Sequence, residues 1–111
     1  MKLRQIALAR SGDKGDIANL AVIALDERDY PFLVEQVTSA RVRTHFGGIV
    51  RGEVVRYECP NVGALNFVLH GALGGGVTRS LALDAHGKSL SSLLLDLDLP
   101  ERAGPLPEAS A

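Results

Sequence analysis

The sequence predicts an α/β (α+β) two-layer sandwich: a small mixed four-stranded sheet with helices mainly on one face. Three observations predict it. Short apolar runs of strand length flank a polar link at residues 11–16. A clean alternation spans residues 53–59. Apolar stripes at helical spacing lie between and after these segments.

Residues 3–9 read as a first strand and residues 20–25, uninterrupted apolar sequence, as a second that is buried on both faces. The six-residue connection between them suggests an antiparallel hairpin. Asp29-Tyr30-Pro31 opens a helix, because Asp accepts hydrogen bonds from free amides and Pro is tolerated in a first turn. Leu33, Val37 and Ala40 share one helical face, but Val42 and Phe46 fall nearly opposite, so one straight helix would leave one set wet. The reading that buries both is a break at Thr38, which caps a second short helix ending at Gly47-Gly48.

Val55, Tyr57 and Cys59 alternate with Arg56 and Glu58, as in a half-buried strand that Pro60 stops. Asn61 then reads as an N-cap, with Val62, Leu65, Leu69 and Leu73 as a helical stripe closed by Gly74-Gly75-Gly76. Residues 78–84 read as a last strand, residues 84–87 as a turn, and Leu90, Leu93, Leu94 and Leu97 as a final stripe. The expected order is β-β-α(α)-β-α-β-α, with two parallel, right-handed crossovers. One domain is expected over residues 1–99, followed by a disordered tail over residues 100–111 that is rich in Pro, Ala, Glu and Ser.

At 111 residues the chain can bury a core without a metal or disulfide staple. A net charge of −1 with interspersed signs, 5 % aromatic residues and no Trp offer neither a basic stripe nor a stacking platform, so nucleic acid is set aside as a partner. The single Cys59 cannot form an internal disulfide. The apolar run before Arg10 is too short for a signal region or a membrane span, and a cytoplasmic location is expected.

Two glycine-containing segments stand out as candidate ligand loops. In Ser11-Gly12-Asp13-Lys14-Gly15-Asp16 the glycines let backbone amides turn inward toward an anion, and Lys14 adds positive charge. A polar hairpin tip whose Ser and Asp side chains satisfy their own turn amides is the plainer reading of the same residues. In the second, Gly75 lies within the glycine run and Arg79 and Ser80 follow it; a guanidinium clamps carboxylate or phosphate with two hydrogen bonds. The spacing matches neither a P-loop nor a dinucleotide fingerprint, so no cofactor is expected. Asn61 opens the expected helix and Asn66 sits beside its apolar stripe, where an amide needs a partner. His45, His70 and His86 have no metal-ligand spacing, Cys59 reads as a core residue, and Ser11 has no evident base.

The segments Ala9-Arg10-Ser11-Gly12-Asp13-Lys14-Gly15-Asp16 with Asn19, Tyr57-Glu58-Cys59-Pro60-Asn61, Ala64-Leu65-Asn66-Phe67-Val68-Leu69, and Gly71-Ala72-Leu73-Gly74-Gly75-Gly76 through Arg79-Ser80-Leu81 resemble the acyclic terpene utilisation (AtuA-like) domain family over residues 3–98. The resemblance implies a ferredoxin-like sandwich and a setting in degradation of acyclic terpenoid or other acyl compounds. It also implies a domain found either fused behind a larger one or as a separate short chain. Two functions are therefore expected. One is binding of an anionic small molecule, of acyl-CoA or carboxylate type, by Ser11, Gly12, Asp13, Lys14, Asp16, Asn19, Asn61, Asn66, Gly75, Arg79 and Ser80. The other is a non-catalytic module that docks a larger AtuA-like chain or forms a homo-oligomer. No reaction is named by the sequence.

Overall fold

The computed structural model describes residues 1–14, 17–71 and 90–101, the side chains of Asp13 and Lys14 excepted. A four-stranded sheet is built from β1 (Ala7–Lys14), β2 (Ile17–Ala24), β3 (Val54–Cys59) and β4 (Ala64–His70), in the order β1-β2-β4-β3. Every pair is antiparallel among the described residues. The chain folds as an α+β two-layer structure.

The hairpin expectation holds, with shifted bounds. Residues Leu3–Gln5 form a 3-10 turn, and β1 runs on to Lys14, in register with Ile17. Most of the supposed loop is therefore strand. Leu3 and Ile6 remain buried, since the turn packs them into the core.

Two short helices follow, α1 (Tyr30–Gln36) and α2 (Ser39–Phe46), and the break falls where the two apolar faces require it. Thr38 Oγ1 accepts from the Arg41 amide at 3.1 Å, and Leu33, Val37, Val42 and Phe46 are all buried. Gly47 ends α2 at φ +55°. The opening cap differs from expectation. Asp26 accepts from the Arg28 amide at 2.9 Å and caps a preceding 3-10 turn, whereas Asp29 is buried and makes no cap bond.

The main correction lies after Pro60. Residues Pro60–Val62 form a 3-10 turn, Gly63 takes a left-handed φ of +62°, and Ala64–His70 is strand β4 where a helix was expected. Leu65, Phe67 and Leu69 are buried, alternating with the half-buried Asn66, Val68 and His70. Val62, counted in the helical stripe, is 68 % exposed. The period is two. With that helix gone, the parallel crossovers are absent from the described residues, and the expected strand 78–84 lies outside them. The final stripe forms the short helix α3 (Leu90–Leu94) and then an extended segment. The tail expected from residue 100 onward lies, beyond Glu101, outside the described residues.

All three helices pack on one face of the sheet, over Ala18, Leu20, Val22, Leu65, Phe67 and Leu69. On β3 the charged side points inward: Arg56 donates to the carbonyls of Val34 at 2.7 Å and Val37 at 3.0 Å, closing the end of α1. After a turn at Leu95 and Asp96, the segment 97–99 lies along the N-terminal residues, with Leu3 N–H bonded to Leu97 O at 2.9 Å and Leu99 N–H to Met1 O at 2.7 Å.

Two stability predictions follow from packing. A Cβ on Gly52 would stand 2.6 Å from the His70 carbonyl oxygen, where Gly52 N–H also bonds it at 2.9 Å. Gly52→Ala must push β3 and β4 apart, and a loss of about 1–3 kcal/mol is expected in urea denaturation. The Tyr30 hydroxyl is enclosed and makes no well-aligned hydrogen bond among the described residues, although the nearby Cys59 backbone interacts with it weakly. Burial first, then the Glu58 carboxylate, push its pKa above the usual phenol range. Tyr30→Phe removes that stranded hydroxyl and is expected to raise stability by about 1 kcal/mol in the same assay; a loss of stability would contradict the reading.

Candidate functional site

Because the described helices all cover one face, antiparallel register sorts the candidate residues between the two faces. Arg10, Ala21, Asn66 and Tyr57 stand in one row across the four strands. Gly12, Asn19, Val68 and Val55 form the next row, and Leu8, Ile23, Ala64 and Cys59 the row on the other side. These rows face away from the helices. Leu8 is 52 % and Tyr57 54 % exposed.

The face is a mosaic: small residues at its middle, Arg10 toward one edge, Tyr57 toward the other, and two amides between. Ala21 and Gly12 keep it low there, and nothing lies within 4 Å of a Cβ built on Gly12. Asn19 and Asn66 are diagonal neighbours, since Asn19 pairs with Val68. The Asn66 amide has no hydrogen-bond partner among the described residues. Its place on a strand answers the question its supposed helical position posed: it stands at the half-open surface and not in the core. Cys59, expected in the core, is half-buried at the end of this face.

The expected single site divides. Gly12, Asn19 and Asn66 come together on the open face. Ser11, exposed, pairs with Leu20 and so takes the opposite face. Asp13 and Lys14 are strand positions, in register with Ala18 and Ile17. Asn61 is exposed in the 3-10 turn and makes no cap bond. It precedes Ala64, which pairs with Ile23, whereas the hairpin tip adjoins Ile17; six residues of strand separate them by about 20 Å. Asp16, Gly75, Arg79 and Ser80 lie outside the described residues.

The sequence reading missed Arg10 and Tyr57. Alternation through residues 53–59 already put Tyr57 opposite Arg56, but it did not reveal which side the helices cover. It also missed a groove on the helix side, about 390 Å³ in volume, lined by Ala40, Arg41, Thr44, His45, Leu97 and Asp98. His45 Nε2 lies 2.6 Å from Leu93 O, and Lys2 Nζ lies 2.9 Å from Asp98 Oδ1. Among the described residues no three His, Cys, Asp or Glu side chains group as a metal site, and no helix is long and apolar enough to cross a membrane.

The hydrogen bond from Lys2, then its charge, hold the Asp98 carboxyl below the usual Asp range, with smaller help from the N-terminus and His45. Its contribution to stability is thus present above the ordinary Asp pKa and lost as pH falls through the lowered value. In an NMR titration Asp98 is expected to protonate below a free Asp, and Lys2→Ala to return it upward. The pair is exposed, so the urea midpoint at neutral pH should barely move.

Neither the curated proteins nor the solved structures contain a match to this chain. The family model of the AtuA ferredoxin-like domain matches residues 1–100, and its two-layer expectation agrees with the one-sided sheet. The chain belongs to the AtuA ferredoxin-like domain family.

Proposed function

We propose that residues 1–99 act as one non-catalytic docking module, whose open sheet face seats an apolar surface of a larger protein chain of the same family. The observation that carries this reading is the uncovered face itself. Four strands present Leu8, Ile23, Val55 and Val68 beside the half-exposed Tyr57, and no described element packs over them. Interface cores favour such a mixture of aliphatic and aromatic side chains with an Arg.

The face also argues against a second copy of itself. Across its middle the described side chains include Arg10 but no carboxylate, and Glu53 stands at the far end of β3, bonded through its carbonyl to the His70 N–H. Two such faces stacked row on row would bring two guanidinium groups out of water with no carboxylate in their own row, a costly arrangement. The partner that fits presents an acidic side chain opposite Arg10 and apolar residues around it. A flat mosaic of this kind suits a protein surface better than a small ligand, which favours concave clefts. Broken-down acyl compounds remain the metabolic setting that the family relationship suggests, with the module supporting an assembly and not performing a step.

Ala21→Arg places a long cation at the centre of the face, where Ala21 is half-buried. Tagged wild-type and variant chains are purified from the native cell, the partner is identified by mass spectrometry, and binding is remeasured by calorimetry with both proteins pure. A loss of tenfold or more in affinity is expected with no change in the urea midpoint, and an acidic-to-basic change in the partner should restore binding of Arg10→Glu. Equal affinity of wild type and Ala21→Arg, or light scattering that shows a stable homodimer broken by Ala21→Arg, would overturn the proposal.

A further inference from the structure

The groove on the helix side lies away from the open face and shares no residue with it. It runs between α2 and the extended segment that carries Leu97 and Asp98. At about 390 Å³ it falls in the range of small-ligand clefts. Arg41, Thr44 and His45 stand at i, i+3 and i+4 of α2, so one helix face turns three polar side chains toward it. Ala40 and Leu97 supply apolar wall.

The partners already taken decide what chemistry is left. Arg4 and Arg28 engage Asp96 and Asp26, and Arg43 and Arg56 engage backbone carbonyls. The Arg41 guanidinium has no acceptor among the described residues. Asp98, the one acid lining the groove, is neutralised by Lys2 at 2.9 Å and has its side chain 81 % exposed. His45 must donate Nε2–H, since its neighbour at 2.6 Å is the Leu93 carbonyl, and this pins the ring where α2 meets the last turn of α3. What remains is one planar guanidinium and one hydroxyl beside an apolar wall.

We propose that this groove binds a small monocarboxylate with a short aliphatic body. The carboxylate accepts from the Arg41 guanidinium and from Thr44 Oγ1, while the aliphatic part lies along Ala40 and Leu97. A polyphosphate does not fit, because a single guanidinium balances one negative charge. An amine does not fit either, because Asp98, the one carboxylate lining the groove among the described residues, is already held by Lys2.

The test uses the whole chain and straight-chain carboxylates from acetate to octanoate, followed by amide chemical shifts. Saturable shifts are expected in α2 and around Leu97, with affinity rising about fourfold per methylene until the groove is filled. The matching primary alcohols should bind at least tenfold more weakly. Arg41→Gln, at an exposed helix position that Gln tolerates, should weaken carboxylate binding at least tenfold with an unchanged urea midpoint. Thr44→Val should weaken it less. Shifts confined to other parts of the chain, equal binding of alcohols, or undiminished binding by Arg41→Gln would each overturn the proposal. The open face takes no part in the measurement, so the docking reading and this one fail separately.

Discussion

The pairing of β2 with β4 is the constraint on which everything else depends. It joins residues far apart in the chain and sets Ala18 against Leu69, Leu20 against Phe67 and Val22 against Leu65 on one face. Leu20, Val22, Leu65, Phe67 and Leu69 are fully buried. Register has a period of two, so a one-residue slip would turn this whole set outward and bring Asn66 and His70 into the core. The two outer strands hang on this pair, β1 through the hairpin with β2 and β3 through its pairing with β4. At the far end the fit of Gly52 against the His70 carbonyl fixes how closely β3 enters.

Among the described residues, the elements that bury a sheet fixed in this way lie on one side. The break at Thr38 lets α1 and α2 each turn an apolar side to it, and Arg56 closes the end of α1 from the sheet below. Arg56 thereby inverts the usual sense of an alternating strand: its charged residue faces the helices, and Tyr57 faces outward. The inversion is tolerable because Nη1 of the guanidinium donates to the Val34 and Val37 carbonyls and Nη2 to Glu58. An unpaired Arg there would be far more costly. The same inversion sends the aromatic side chain to the open face, where Tyr57 is 54 % exposed.

The helical pair was legible because its evidence was local. Leu33 with Val37 and Val42 with Phe46 cannot be buried by one straight helix, and Thr38 offers a cap at the only useful place. Strand β4 was not legible in the same way. Val62, Leu65, Leu69 and Leu73 satisfy a helical stripe, while Leu65, Phe67 and Leu69 satisfy a strand, and Pro60-Asn61 imitates a helix start. The choice between them is made by β2 and β3, which offer hydrogen-bonding edges on both sides of β4. Phe67, Val68 and the left-handed Gly63 were the local hints for the strand. Gly12, Asn19 and Asn66 lie on one sheet face, a placement hidden from the sequence, which put Gly12 in a loop and Asn66 on a helix. Ser11 and Asn61 were separated from them by the same alternation and by the length of β2.

The two surfaces differ in what built them, and this bears on how they can be used together. The open face is a by-product of strand register and stays rigid as long as β2 and β4 remain paired. The groove is made by chain closure, because its second wall is the segment held to the N-terminal residues by Leu3 N–H to Leu97 O and Leu99 N–H to Met1 O. Backbone bonds to Met1, Leu3 and Arg4, the buried side chains of Leu97 and Leu99, and the Lys2–Asp98 and Arg4–Asp96 pairs hold that wall. A ligand in the groove bridges α2 to this segment and stabilises closure by mass action. It leaves the β2–β4 register, and with it the open face, unchanged. Energetic coupling between the two would require a bistable element between them, and the fully buried layer of Leu20, Phe67 and Leu94 supplies a single close-packed arrangement. The physical picture is therefore of two independent surfaces on one frame, one set by the sheet and the other by the way the chain is closed.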